Sequence, residues 1–106
     1  MGKPSRDKGK RGQRAFKALL GDRDWSVMET GCGDDVEDMW TTDPDGRTWS
    51  VEVKNCRIIN FTAFLAQARE NAAKSRKPWL LACRIPDTRA WLVMRQGEFP
   101  SIWKEK

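Results

Sequence analysis

The 106-residue chain is expected to fold as an α/β (α+β) domain, with a mixed central sheet of about five strands and flanking helices in the order α-β-β-β-α-β-β. Three features predict it. Alternating segments lie on either side of Asp43-Pro44-Asp45-Gly46, the pattern of an antiparallel hairpin. Residues 61–75 repeat apolar side chains at helical spacing. Trp79 to Arg84 is then a nearly continuous apolar run, as expected of a strand buried on both faces.

Residues 1–7 are polar, with Pro and Gly, and read as a flexible basic terminus before a single domain spanning 8–106. A helix is expected from about Lys8 to Leu20. Phe16, Leu19 and Leu20 form its apolar stripe, Gly21 is its stop, and Gly9 and Gly12 weaken its start. Trp25–Glu29 and Val36–Thr41 read as the first two strands, with a glycine-containing loop, Thr30-Gly31-Cys32-Gly33-Asp34, between them. The third strand is Thr48–Lys54. Asn60 can cap the helix of Phe61–Ser75, in which Phe61, Phe64, Leu65, Ala68 and Ala72 share one face. Lys77-Pro78 ends that helix. Trp79–Arg84 and Ala90–Arg95 read as the last two strands, and the tail from Glu98 is expected to form a short helix.

Charge is unevenly placed along the chain. The net charge is +5. Lys3 to Lys17 holds seven bases and one acid, Asp22 to Glu52 ten acids and two bases, and the remainder is basic again. This balance favours a polyanionic partner. Carboxylates gathered inside an otherwise basic chain have no use in a protein that merely coats a polyanion. Three widely spaced cysteines and no histidine argue against a zinc site, a disulfide framework and any His-dependent nucleophile. No apolar run is long enough to span a membrane, and a cytoplasmic protein is expected.

Glu52-Val53-Lys54 is the most informative triplet. Strand alternation sets Glu52 and Lys54 on one face and Trp49, Val51 and Val53 on the other. Pairing across the Asp43–Gly46 turn can bring Asp38 beside Glu52, within the ~5 Å spacing of neighbouring strands. Two such carboxylates repel unless a cation lies between them, and Mg²⁺ or Mn²⁺ suits oxygen donors. Such an ion activates water and neutralises charge on phosphate oxygens, and Lys54 can orient that water or stabilise developing negative charge. An isolated E-x-K triplet is commonly a solvated charge pair. The order of features gives it weight. The tryptophans of the strands read as core or interface, with Trp40 set apart because it shares a face with Asp38.

That order resembles the PD-(D/E)XK nuclease superfamily, with its restriction-endonuclease-like fold, and within it the archaeal and phage Holliday-junction resolvases. The resemblance runs from Lys8 to about Phe99. Lys8-Gly9-Lys10-Arg11-Gly12-Gln13-Arg14 is similar to the family's opening K-G-x-x-x-E-R helix. Thr30-Gly31-Cys32-Gly33 resembles its Ser/Gly loop, Glu37-Asp38 its P-D pair, Glu52-Val53-Lys54 its E-V-K motif, and Gln67-Ala68 a frequent Q-A. Gln13 stands where the family usually has a metal-binding Glu, and a neutral amide is a weaker ligand for a hard cation. The resemblance implies a Mg²⁺- or Mn²⁺-dependent endodeoxyribonuclease that nicks branched double-stranded DNA as a homodimer. It implies metal ligation by Asp38, Glu52 and the Val53 carbonyl, and a catalytic set of Asp38, Glu52, Lys54 and a weak or water-mediated Gln13. DNA contacts are expected from Lys8, Lys10, Arg11, Arg14, Thr30, Arg57, Gln67, Arg69 and Lys74. No small-molecule cofactor and no membrane are expected. Two other readings stay open: a nuclease of the same superfamily acting on flaps, nicks or mismatches, and a DNA-binding module that has lost its metal site. A small interaction protein whose charge is incidental is a third.

Overall fold

The computed structural model describes residues 2–29 and 39–106, with side chains described for 9–28 and 39–106. Within these residues the chain is an α+β domain of two helices and a six-strand mixed sheet. The elements are α1 (Gly2–Asp22), β1 (Ser26–Glu29), β2 (Met39–Thr42), β3 (Thr48–Lys54), α2 (Phe61–Ser75), β4 (Trp79–Arg84), β5 (Ala90–Arg95) and β6 (Ser101–Lys104). The strands lie side by side in chain order. All neighbours are antiparallel except β3 and β4, which run parallel. A parallel pair needs a long crossover, and α2 supplies it.

Alternation along the strands sorts the interior into two clusters on opposite faces. One contains Phe16, Leu19 and Leu20 of α1 with Trp49, Val51, Leu80, Ala82, Trp91, Val93 and Trp103. The other sets Ala68 of α2 on Leu81 and Cys83, with Phe64, Leu65 and Ile59 packed alongside. Consecutive residues of β4 thus serve different clusters, and for this reason its apolar run is continuous: Leu80 to Cys83 are all fully buried. The helices lie on either side of the sheet, and no helix among the described residues is long and apolar enough to cross a membrane.

The β2–β3 hairpin and α2 form where the local chemistry predicts. The Gly46 amide donates to the Asp43 carbonyl at 2.9 Å, with Gly46 at φ +93°, a conformation that favours glycine. Asn60 Oδ1 accepts from the Ala63 amide at 3.1 Å, capping α2, and Arg76 closes it in the left-handed conformation. Of the expected α2 stripe, Ala68 and Ala72 are buried, whereas Phe61 at its first turn is exposed.

Two expectations are corrected. The tail forms strand β6 rather than a helix. Trp103 turns inward, 4% exposed, onto Trp25 and Phe16, while Ile102 and Lys104 point out. This makes six strands where about five were expected. Helix α1 also begins at Gly2 rather than near Lys8. Pro4 is compatible with that start because the first turn of a helix has no use for its amide hydrogens.

Asp43 fixes the hairpin chemically. Its Oδ1 accepts from the amides of Asp45 and Arg47, both at 2.9 Å, and its Oδ2 accepts from Trp49 Nε1 at 3.1 Å. Burial pushes its carboxyl upward, but these hydrogen bonds and nearby Arg95 outweigh it and hold the carboxyl below its ordinary value. The stabilisation is therefore present at neutral pH and is lost as pH falls through the depressed folded value. Asp43→Ala is expected to lower unfolding stability by about 1–2 kcal/mol at pH 7, and much less near pH 2, by urea titration at both.

Candidate functional site

The site assembles on β3 and the sheet-facing side of α2. Glu52 and Lys54 project to the α2 face, as alternation requires, while Trp49, Val51 and Val53 enter the core under α1. Lys54 Nζ lies 3.3 Å from Glu52 Oε2, with the two side chains 21% and 17% exposed. The other carboxylate oxygen, Oε1, accepts from Asn71 Nδ2 of α2 at 3.0 Å. The Lys54 ammonium also lies 5.1 Å from the Phe64 ring centroid. Glu52 is thus positioned from two elements, and Lys54 is held between a carboxylate and a ring.

Asn71 was not among the expected site residues. Its signal lay in the helix period: it follows Ala68 by three residues and Phe64 by seven, so a polar amide interrupts the sheet-facing stripe. Gln67, one turn earlier, is exposed. The amide that touches Glu52 is that of Asn71, not Gln67.

Asp38 and Thr30 lie outside the described residues, as does the side chain of Lys8. Met39, the residue after Asp38, pairs with Val51, the residue before Glu52. Val53 pairs with Ala82 in the parallel register. Gln13 is half-buried on α1, across the sheet from Glu52, and no described hydrogen bond joins the two. Next to it, Gly12 packs so closely on the residue following β3 that a Cβ there would lie 2.6 Å from Asn55 Cβ. Among the described residues no group of three or more His, Cys, Asp or Glu is placed to hold a metal ion. Trp40 pairs with Ser50 and carries the Lys77 ammonium 3.9 Å above its ring, so that face of the indole is already covered.

The expected basic residues fall into separate groups. Lys10, Arg11 and Arg14 are exposed along α1, and Arg69 and Lys74 along α2. Arg11 and Arg57 line a cleft of about 560 Å³ where β3 and β4 end, together with Asn55, Arg84, Thr88 and Arg89. The carboxyl ends of parallel strands are the usual ligand-binding edge of an α/β sheet. Arg84 and Arg89 were not expected there. Arg69 lines a second cleft of about 470 Å³ at the far end of α2, with Arg76, Lys77 and Gln96. Cys83, beside Lys54 in the register, is fully buried. Burial first, and then Cys56, push its thiol up to about 11 against a smaller lowering by Lys54. It is therefore not a nucleophile at neutral pH.

No family model matches the chain, and neither a curated protein nor a solved structure matches it.

Proposed function

We propose that the protein is a Mg²⁺- or Mn²⁺-dependent endonuclease of restriction-endonuclease-like fold that acts on branched double-stranded DNA, most specifically four-way junctions, as a homodimer. The observation that carries this reading is the Glu52–Lys54 pair, fixed by Asn71 at the end of β3 beside an arginine-lined cleft. A carboxylate and an ammonium 3.3 Å apart, partly shielded from water, are the elements needed to hold a hard cation and to meet charge growing on a phosphate.

The donor chemistry fits the metal. Glu52 supplies carboxylate oxygen, the Val53 carbonyl is next along the strand, and Asp38 adjoins Met39, whose partner Val51 adjoins Glu52. When bound, the ion would neutralise phosphate charge and ease deprotonation of water. Lys54 orients the attacking water or stabilises the negative charge that develops on the phosphate. Asn71 keeps Glu52 from swinging away. The basic face of α1 and the cleft hold the DNA backbone, so binding should weaken steeply with salt.

One observation favours a second reading, a DNA-binding module without catalysis: among the described residues no group of three or more His, Cys, Asp or Glu is placed to hold a metal ion, and Gln13 is a neutral amide rather than an acid. The experiment that separates the two is incubation of a labelled synthetic four-way junction with Mg²⁺ or Mn²⁺. Flap, nicked and linear duplexes run in parallel, and the wild type is compared with Asp38→Asn. Metal-dependent nicking of the junction by the wild type alone is expected. Binding without cleavage of any substrate would leave only the module.

A further inference from the structure

The cleft at the ends of β3 and β4 contains more than the positive charge needed for solubility. Among the described residues, four arginines, Arg11, Arg57, Arg84 and Arg89, line it against the one carboxylate of Asp87. They come from four parts of the chain: Arg11 from α1, Arg57 from the segment after β3, Arg84 from the end of β4, and Arg89 from the β4–β5 turn. Two of them are held by the protein itself. Arg84 Nε donates to the Thr88 carbonyl at 3.1 Å and its Nη2 lies 3.7 Å from Glu105 Oε2, while Arg89 Nη1 donates to the Lys106 carbonyl at 3.4 Å.

Arg57 is held differently. Its Nη1 and Nη2 donate to Asp87 Oδ2 and Oδ1 at 3.0 and 3.2 Å, a two-pronged fork. A guanidinium makes the same fork with the oxygens of a phosphodiester. The two side chains are 67% and 75% exposed, so the pair contributes little to stability and is readily exchanged. Asp87 sits at φ +63° in the β4–β5 turn.

We propose that this cleft grips the phosphodiester backbone of a nucleic-acid strand, and that Asp87 is a built-in phosphate stand-in which keeps the Arg57 fork aligned until a backbone phosphate replaces it. The cleft begins at Asn55, the residue after Lys54, so the gripped backbone lies directly beyond the Glu52–Lys54 pair. Its volume, about 560 Å³, is in the range of sites that enclose small ligands, roughly 300–1,000 Å³. The inference deepens the nuclease reading by naming where the strand is held. It needs polynucleotide binding but not cleavage.

The test is anisotropy of a fluorescein-labelled four-way junction and the matching linear duplex, measured in EDTA over a salt series. Asp87→Asn removes the charge and keeps a residue type that tolerates the left-handed conformation. It is expected to bind about threefold tighter or more, because no carboxylate has to be displaced, with a salt slope close to that of the wild type, since Arg57 meets one backbone phosphate in both proteins. Arg11→Gln combined with Arg89→Gln is expected to bind at least about tenfold weaker, with a slope shallower by about 1.8. Opposite shifts from two exposed changes, at unchanged Tm, cannot both come from misfolding. Unaltered or weaker binding by Asp87→Asn overturns the stand-in role. An unaltered slope in the double variant, or a wild type that binds neither DNA, overturns the cleft. Should the shifts appear although no DNA is ever cut, the nuclease reading falls and the cleft remains. Cutting by a wild type whose variants bind alike gives the reverse.

Discussion

Lys54→Ala and Glu52→Gln are each expected to lower the rate of junction nicking by at least about a hundredfold at saturating DNA, with much smaller changes in DNA affinity. Lys54 meets charge that exists only as the phosphodiester reacts, so its loss falls on the catalytic step. Glu52 carries the carboxylate, and glutamine keeps its shape while removing the negative charge a cation requires. The fold should tolerate both changes, because each side chain is 17–21% exposed and neither belongs to an apolar cluster. Glutamine can still accept from Asn71 Nδ2, so the α2–β3 link survives. Single-turnover nicking alongside anisotropy separates the two effects. Equal rates for wild type and both variants would show that this pair is an ordinary ion pair within strand β3.

Gly12→Ala is expected to destabilise the domain by about 1–3 kcal/mol and to reduce activity together with stability. The added Cβ would meet Asn55 Cβ at 2.6 Å, and that atom is next to the backbone, so it cannot rotate aside as the end of a long side chain would. Either α1 lifts from the sheet or the segment leaving β3 shifts, and that segment joins Lys54 to the wall of the cleft. The same change at Gly9, where a Cβ meets nothing, removes only the helix cost of glycine and should stabilise by about 0.5–1 kcal/mol. Thermal melts of the two variants should therefore move in opposite directions. A neutral Gly12→Ala would mean that α1 does not press on the exit of β3.

The contrast between the two glycines shows where sequence reading reaches its limit. Both weaken a helix in isolation, and only tertiary contact distinguishes them. Helix α2 was legible because its apolar period, its Asn60 cap and the Lys77-Pro78 stop agree with one another. Strand β3 was legible because the Asp43–Gly46 turn and the alternation fix one register. Strand β6 was misread because four residues after a proline carry too little periodic signal. Its identity comes from the place Trp103 finds beside Phe16 and Trp25.

The candidate site divides in the same way. The placement of Glu52 beside Lys54 follows from a period of two within one strand, and could be read directly. Asn71 reaches Glu52 across 19 positions of sequence through helix-on-sheet packing. The arginine cleft depends on the parallel pairing of β3 with β4, which sets the chain after Lys54 against the chain after Arg84. No local pattern marks Arg84 or Arg89 as neighbours of Arg11.

Isothermal titration of Mn²⁺ into the DNA-free protein, with the wild type beside Glu52→Gln and Asp38→Asn, tests the central claim most directly. The account predicts saturable binding by the wild type that either substitution weakens by about tenfold or more. Equal Mn²⁺ affinity in all three proteins, or none in the wild type, would contradict it.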